Sequence, residues 1–122
     1  MSAPITDFLP RNDQHLEPGR RPDAYRLGSD QEALTIARDL AQRFAVGAAE
    51  RDRKRILPKP ELDEFSGHGL WAISIPKAYG GAGVTHATIV EVFRTIAEAD
   101  PSIAQIAHNH FCVIGAIRLA AQ

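Results

Sequence analysis

Apolar residues recur at three- and four-residue spacing in three stretches, and each recurrence predicts a helix with one inward face. The first stretch carries Ala33, Ile36, Ala37, Leu40, Ala41 and Phe44, with Asp39, Gln42 and Arg43 off the stripe. Ser29-Asp-Gln-Glu32 precedes it with the spacing of a capping box, in which serine and glutamate satisfy orphan backbone donors. The pattern predicts that this helix runs on past Gly47 through Glu50-Arg-Asp-Arg-Lys-Arg55, with those charges on a solvated face. Pro58 and Pro60 mark a break and a restart, and a short helix is expected over Glu61 to Ser66, with Leu62, Phe65 and Leu70 inward. Gly67 and Gly69 are natural stops.

Leu70-Trp-Ala-Ile-Ser-Ile75 reads as a short strand or an extended buried link, ended by Pro76, with a turn over 76–79. The next helix runs from His86 to Ala99 with Ile89, Val92, Phe93 and Ile96 inward and Thr85 as its cap. Asp100-Pro101-Ser102 closes it and opens another, because Asp100 can cap and Pro101 lacks only a donor that would be unpaired anyway. That last helix places Ile103, Ile106, Ala107, Val113, Ile114 and Ile117 on one face and meets no stop signal before Gln122. The expected fold class is all-α, with residues 29–122 as one helical domain that looks truncated at its C-terminal end. Residues 1–28, broken by Pro4, Pro10, Pro18 and Pro22, are expected to be an irregular leader.

Composition narrows the function classes. With 14 Lys+Arg against 15 Asp+Glu, the net charge of −1 gives no long-range pull on nucleic acid or on an anionic membrane. The single Cys112 forbids an internal disulfide and suits a reducing compartment. No signal-peptide pattern is visible at Met1-Ser-Ala-Pro, and no apolar run approaches the ~20 residues of a membrane span. The expectation is a cytoplasmic protein without nucleic-acid or membrane partners.

Candidate chemistry is sparse. Gly80-Gly-Ala-Gly83 lacks the third glycine of a dinucleotide loop, since position 86 is His86, and lacks the Gly-Lys-Ser/Thr of a P-loop; it reads as a tight turn needing positive φ. His110 lies seven residues after Ile103 and four before Ile114, near the middle of an apolar stripe. It is either a satisfied core histidine or one that faces a cleft. His108 and Cys112 share a helix face, but two ligands fall short of a structural zinc site, so no metal is expected. Ser102 suits a first helical turn and has no visible base. Trp71 suits a core position or a stack on a flat cofactor.

The ordered set of Glu50-Arg51-Asp52, Leu62 through Gly69-Leu70, Ile75-Pro76…Tyr79-Gly80-Gly81-Ala82-Gly83 and Asp100-Pro101-Ser102 resembles the N-terminal domain of the acyl-CoA dehydrogenase superfamily over about residues 29 to 121. With Asn109-His110-Phe111, it looks closest to the branch of sulfur-acquisition oxidoreductases and dibenzothiophene monooxygenase-like enzymes. The resemblance implies a first domain of orthogonal or up-down helices in a three-domain flavoprotein that is usually a homo-oligomer. This domain would form one wall of the pocket for flavin (FAD or FMN) and a small-molecule substrate, either an acyl-CoA or an organosulfur compound. Within that resemblance His110 is the candidate catalytic residue, and Ser102, Asn109 and Phe111 are candidate substrate neighbours. The activity implied is dehydrogenation or flavin-dependent monooxygenation, with the 122-residue chain alone not competent and association-prone. The competing expectation is a stand-alone helical module that binds a partner without catalysis.

Overall fold

The computed structural model describes residues 25–122, and residues 1–24 of the leader expected over 1–28 lie outside them. Among the described residues five α-helices follow in order: α1 (Asp30–Ala45), α2 (Ala48–Lys54), α3 (Lys59–Gly67), α4 (His86–Ala99) and α5 (Pro101–Ala120). Two 3₁₀ turns, Leu70–Ala72 and Lys77–Tyr79, fill the link between α3 and α4. α1 packs along α4, α4 along the first part of α5, and α3 closes one end over the first 3₁₀ turn. The buried centre is Ala33, Ala37, Leu40 and Phe44 of α1, Phe65 of α3, Leu70 and Ile73 of the link, Val92 and Ile96 of α4, and Ile103, Ala104 and Ala107 of α5.

The helix starts follow the capping logic of the sequence with one rearrangement. Ser29 Oγ accepts the Glu32 N–H at 3.1 Å, as a capping box requires. The Glu32 carboxylate does not return to Ser29; it accepts the Gly28 N–H at 2.7 Å and the Tyr25 hydroxyl. The last residues before α1 are thereby tied to it, and Leu27 is buried. Thr85 caps α4 through Thr88 N–H, and Asp100 caps α5 through the N–H groups of Ser102 (3.0 Å) and Ile103 (3.2 Å).

Three expectations fail, each for a physical reason. The first helix does not run through Gly47: that residue takes φ 77°, a left-handed value open to glycine, and α2 turns away. In consequence Arg51 leaves the solvated face expected for it and folds back onto the end of α1. Residues 70–75 form neither a strand nor an extended link, because the buried positions are Leu70 and Ile73, three apart, which suits a 3₁₀ turn rather than alternation. Gly69 at φ 77° starts that turn, and a Cβ there would strike the Tyr25 carbonyl oxygen. The α5 stripe is buried only at Ile103 and Ala107, joined by Ala104; Ile106, Val113 and Ile117 are exposed.

Candidate functional site

Arg51 organises the joint on which α5 is mounted. Its Nη2 reaches Asp100 Oδ2 at 2.9 Å, and its Nη1 reaches Glu61 Oε1 at 2.9 Å. The same guanidinium donates to the carbonyls of Phe44 and, at 3.0 Å, Val46, which the end of α1 leaves without helical partners. One side chain so fastens α1, α2, α3 and the α4–α5 corner. The Arg51 and Asp100 side chains are only 12% and 7% exposed; Asp100 would be a costly lone charge without Arg51, while Arg51 is shared between Asp100 and Glu61. Asp100 was legible as a cap; Arg51 was one of several like residues in a charged stretch, and only its position four after the helix-breaking Gly47 set it apart.

The α5 helix so anchored carries the four sequence candidates in different surroundings. His110 is half-buried, and its Nε2 lies 2.7 Å from the Trp71 carbonyl oxygen. Its ring meets Trp71 edge-on at 4.9 Å and Phe111 at 5.3 Å. Trp71 is itself held by Phe65, whose ring centroid is 4.6 Å away, and by an indole N–H donated to Ser66 Oγ at 2.6 Å. Phe111 is half-buried, whereas Ser102 and Asn109 are exposed. The structure therefore brings His110 and Phe111 together and leaves Ser102 on the first turn, away from them.

Two cavities flank this region. A groove of about 530 Å³ runs between α4 and the later turns of α5, walled by Ile89, Phe93, Phe111, Ile114 and Leu119, with Arg118 beside them. Arg118 Nη1 donates to the Ser74 carbonyl at 2.9 Å, while the Ser74 hydroxyl oxygen is buried without a partner. The second cavity, about 390 Å³, is lined by Tyr25, Arg26, Leu27, Trp71 and Gly80. His110 lines neither; it stands between Phe111 of the first and Trp71 of the second. His108 Nε2 and Cys112 Sγ lie 3.4 Å apart on the exposed side of α5, and among the described residues no three His, Cys, Asp or Glu side chains converge as a metal site would need.

The glycine turn offers nothing to a phosphate. Gly80 and Gly83 have φ of 87° and 58°, as a tight turn demands. The N–H groups of Gly81, Ala82, Gly83 and Val84 all donate inward, to Pro76, Ala72, Ile75 and Ile73 carbonyls at 2.8–3.2 Å. Gly81 has ordinary φ but lies so close to the Ile75 and Ala72 carbonyls that any Cβ would collide with them. The first turns of α1, α4 and α5 likewise have part of their backbone donors taken by side-chain caps.

A capped α1–α4 pair, a glycine turn that only links, and a proline-led helix presenting one half-buried histidine define a helical domain. The pattern of the "Acyl-CoA dehydrogenase, N-terminal domain" family matches residues 29–121, and the chain belongs to that family. It is similar to a probable FMNH2-dependent monooxygenase, SfnC, of Pseudomonas putida, 40% identical over 87 residues that cover 71% of this chain and 22% of the relative. It is similar to dibenzothiophene monooxygenase of Rhodococcus erythropolis, 33% identical over 97 residues (80% of this chain, 22% of the relative). A 3-sulfinopropanoyl-CoA desulfinase of Cupriavidus necator is 35% identical over 96 residues (76% and 24%). The chain spans less than a quarter of the length of these relatives. No solved structure matches significantly. Membership in this family favours the oxidoreductase reading over a stand-alone partner module. Among the described residues no helix is long and apolar enough to cross a membrane.

Proposed function

We propose that this chain is the first wall of the active site of a flavin-dependent monooxygenase that oxidises a small organosulfur compound. The observation that carries the reading is His110: a half-buried imidazole on α5, fixed at one nitrogen by the Trp71 carbonyl and flanked by the Phe111 ring. Similarity to an FMNH2-dependent monooxygenase favours reduced FMN over FAD, and similarity to enzymes named for dibenzothiophene and a sulfinopropanoyl thioester favours a sulfur compound over a fatty acyl-CoA. Reduced flavin with dioxygen supplies the oxidising chemistry. This chain's part is to present the imidazole at the ring edge, exclude water with Phe111, and offer Asn109 as a polar neighbour on α5. Phosphate contacts and the rest of the pocket belong to other parts of the whole enzyme, which we read as a homo-oligomer.

The test is to supply the whole polypeptide that carries this domain with reduced FMN, labelled dioxygen and dibenzothiophene. Label in the sulfur product is expected, falling at least about tenfold in His110→Ala, within the usual range for loss of a positioned acid–base group. Dehydrogenation of an acyl-CoA without dioxygen uptake would replace this reading with the other branch of the family.

A further inference from the structure

We propose that the main-chain carbonyl of Trp71 is the positioning group for His110. It holds the imidazole as the Nε2–H tautomer and leaves Nδ1 as the lone-pair nitrogen presented outward. This rests on the functional reading above for its use, and on geometry alone for its existence.

A carbonyl oxygen can only accept, so the 2.7 Å approach of His110 Nε2 to Trp71 O requires the proton on Nε2. In the neutral ring the other nitrogen is then the acceptor, because the bond made by one nitrogen sets the state of the other. Nδ1 has no hydrogen-bond partner among the described residues, yet it is not among the buried side-chain atoms left unpaired, so it keeps an opening to the surface. The ring cannot turn over freely, since Trp71 and Phe111 meet it edge-on from two directions. The carbonyl is rigid in turn. It lies in the 3₁₀ turn Leu70–Ala72, between the fully buried Leu70 and Ile73, and its own indole is held by Ser66 and Phe65. A backbone acceptor in a packed turn thus selects which nitrogen of a helix-borne histidine can take a proton or a hydrogen bond from a bound molecule.

The chain contains its own control. His68 Nδ1 lies 2.7 Å from the Glu64 carbonyl oxygen, which demands the opposite tautomer. Long-range proton–nitrogen NMR of the imidazoles, recorded on the 122-residue chain at pH 8.5, above the ordinary imidazole range, reads both rings directly. His110 is expected as Nε2–H and His68 as Nδ1–H, each in about tenfold excess, the scale set by one net hydrogen bond. An Nδ1–H ring at His110, or a near-equal mixture, overturns the proposal.

A pair of variants gives a second reading. Glutamine at 110 places an amide N–H where Nε2 stands, and asparagine places it nearer Nδ1. His110→Gln is expected to keep the thermal midpoint within about 2 °C, and His110→Asn to lower it by about 4 °C or more. Equal losses in both variants would show that the Trp71 carbonyl does not hold the ring. The spectrum is taken without flavin. An Nε2–H tautomer together with failure of the oxygenation assay therefore sinks the functional reading and leaves the positioning intact.

Discussion

The α1–α4 pair and the last three turns of α5 are built from the same apolar periodicity and end in opposite environments. Along α1 the stripe closes completely: Ala33, Ala37, Leu40 and Phe44 all vanish against α4 and its neighbours. Along α5 the burial stops at Ala107, and Val113, Ile117 and Leu119 stand 58%, 59% and 74% exposed. Both stretches are helical, so periodicity determines that a face exists without determining what covers it. The exposed apolar turns border the groove and flank His110, which places the candidate site on the unpaired part of the domain. The paired part supplies rigidity.

The largest effect should come from the joint between the two regions. Asp100 caps α5 and partners Arg51 at once, so Asp100→Ala removes a cap and one of the two carboxylates that neutralise a nearly buried cation; about 3–5 kcal/mol should be lost. Asp100→Asn keeps an acceptor for the Ser102 and Ile103 N–H groups and should recover about 1 kcal/mol of that loss. Urea unfolding of both variants beside Arg51→Ala measures this. Additive losses in the Arg51–Asp100 double variant would show that the two residues do not act as a pair.

The comparison itself is tested by matched truncations. Phe44→Ala opens a cavity in the closed region and should cost about 3–5 kcal/mol. Ile117→Ser removes a similar apolar group from the open region and should stay within about 0.5 kcal/mol. If Ile117→Ser destabilised the 122-residue chain as severely as Phe44→Ala, the later turns of α5 would be covered in solution and the contrast would collapse.

Most of the frame was written in local chemistry. Ser29, Thr85 and Asp100 announce the helix starts because each short polar side chain satisfies nearby backbone donors, and α4 has the bounds its pattern predicts. What escaped was long-range. Nothing near Arg51 in the chain reveals that its partner is 49 residues away, or that Gly47 would turn it back onto the carbonyls of α1. The 3₁₀ turn at Leu70 escaped because a six-residue apolar run suits several backbone shapes, and tertiary packing chose the one that buries positions three apart. At the site, the inward lean of His110 was visible from its phase on α5. That its partner is a main-chain carbonyl, a group no side-chain pattern encodes, was not.

The gentlest test of the closed region is its response to acid. Asp30, at the first turn of α1, accepts the Thr88 hydroxyl at 2.7 Å and the Thr85 N–H and hydroxyl at 2.9 and 2.8 Å, linking the start of α1 to the start of α4. These bonds hold its carboxyl below the usual value, the Thr88 hydroxyl most strongly, then the Thr85 N–H and the Thr85 hydroxyl. The Tyr25 hydroxyl, followed by the Gly28 N–H, depresses Glu32 in the same sense. A carboxyl with a folded pKa below its unfolded value stabilises the fold above the unfolded pKa, near 3.9 for aspartate, and that contribution drains away as pH falls through the folded value. Asp30→Asn should therefore be less stable than the parent chain at pH 7, with the gap narrowing steadily below about pH 4. Denaturation midpoints for the two proteins across pH 2.5–7 decide the matter. Parallel curves would mean that the hydroxyl and amide donors around Asp30 do not distinguish its charged from its neutral form, and that the α1–α4 contact rests on its apolar stripe alone.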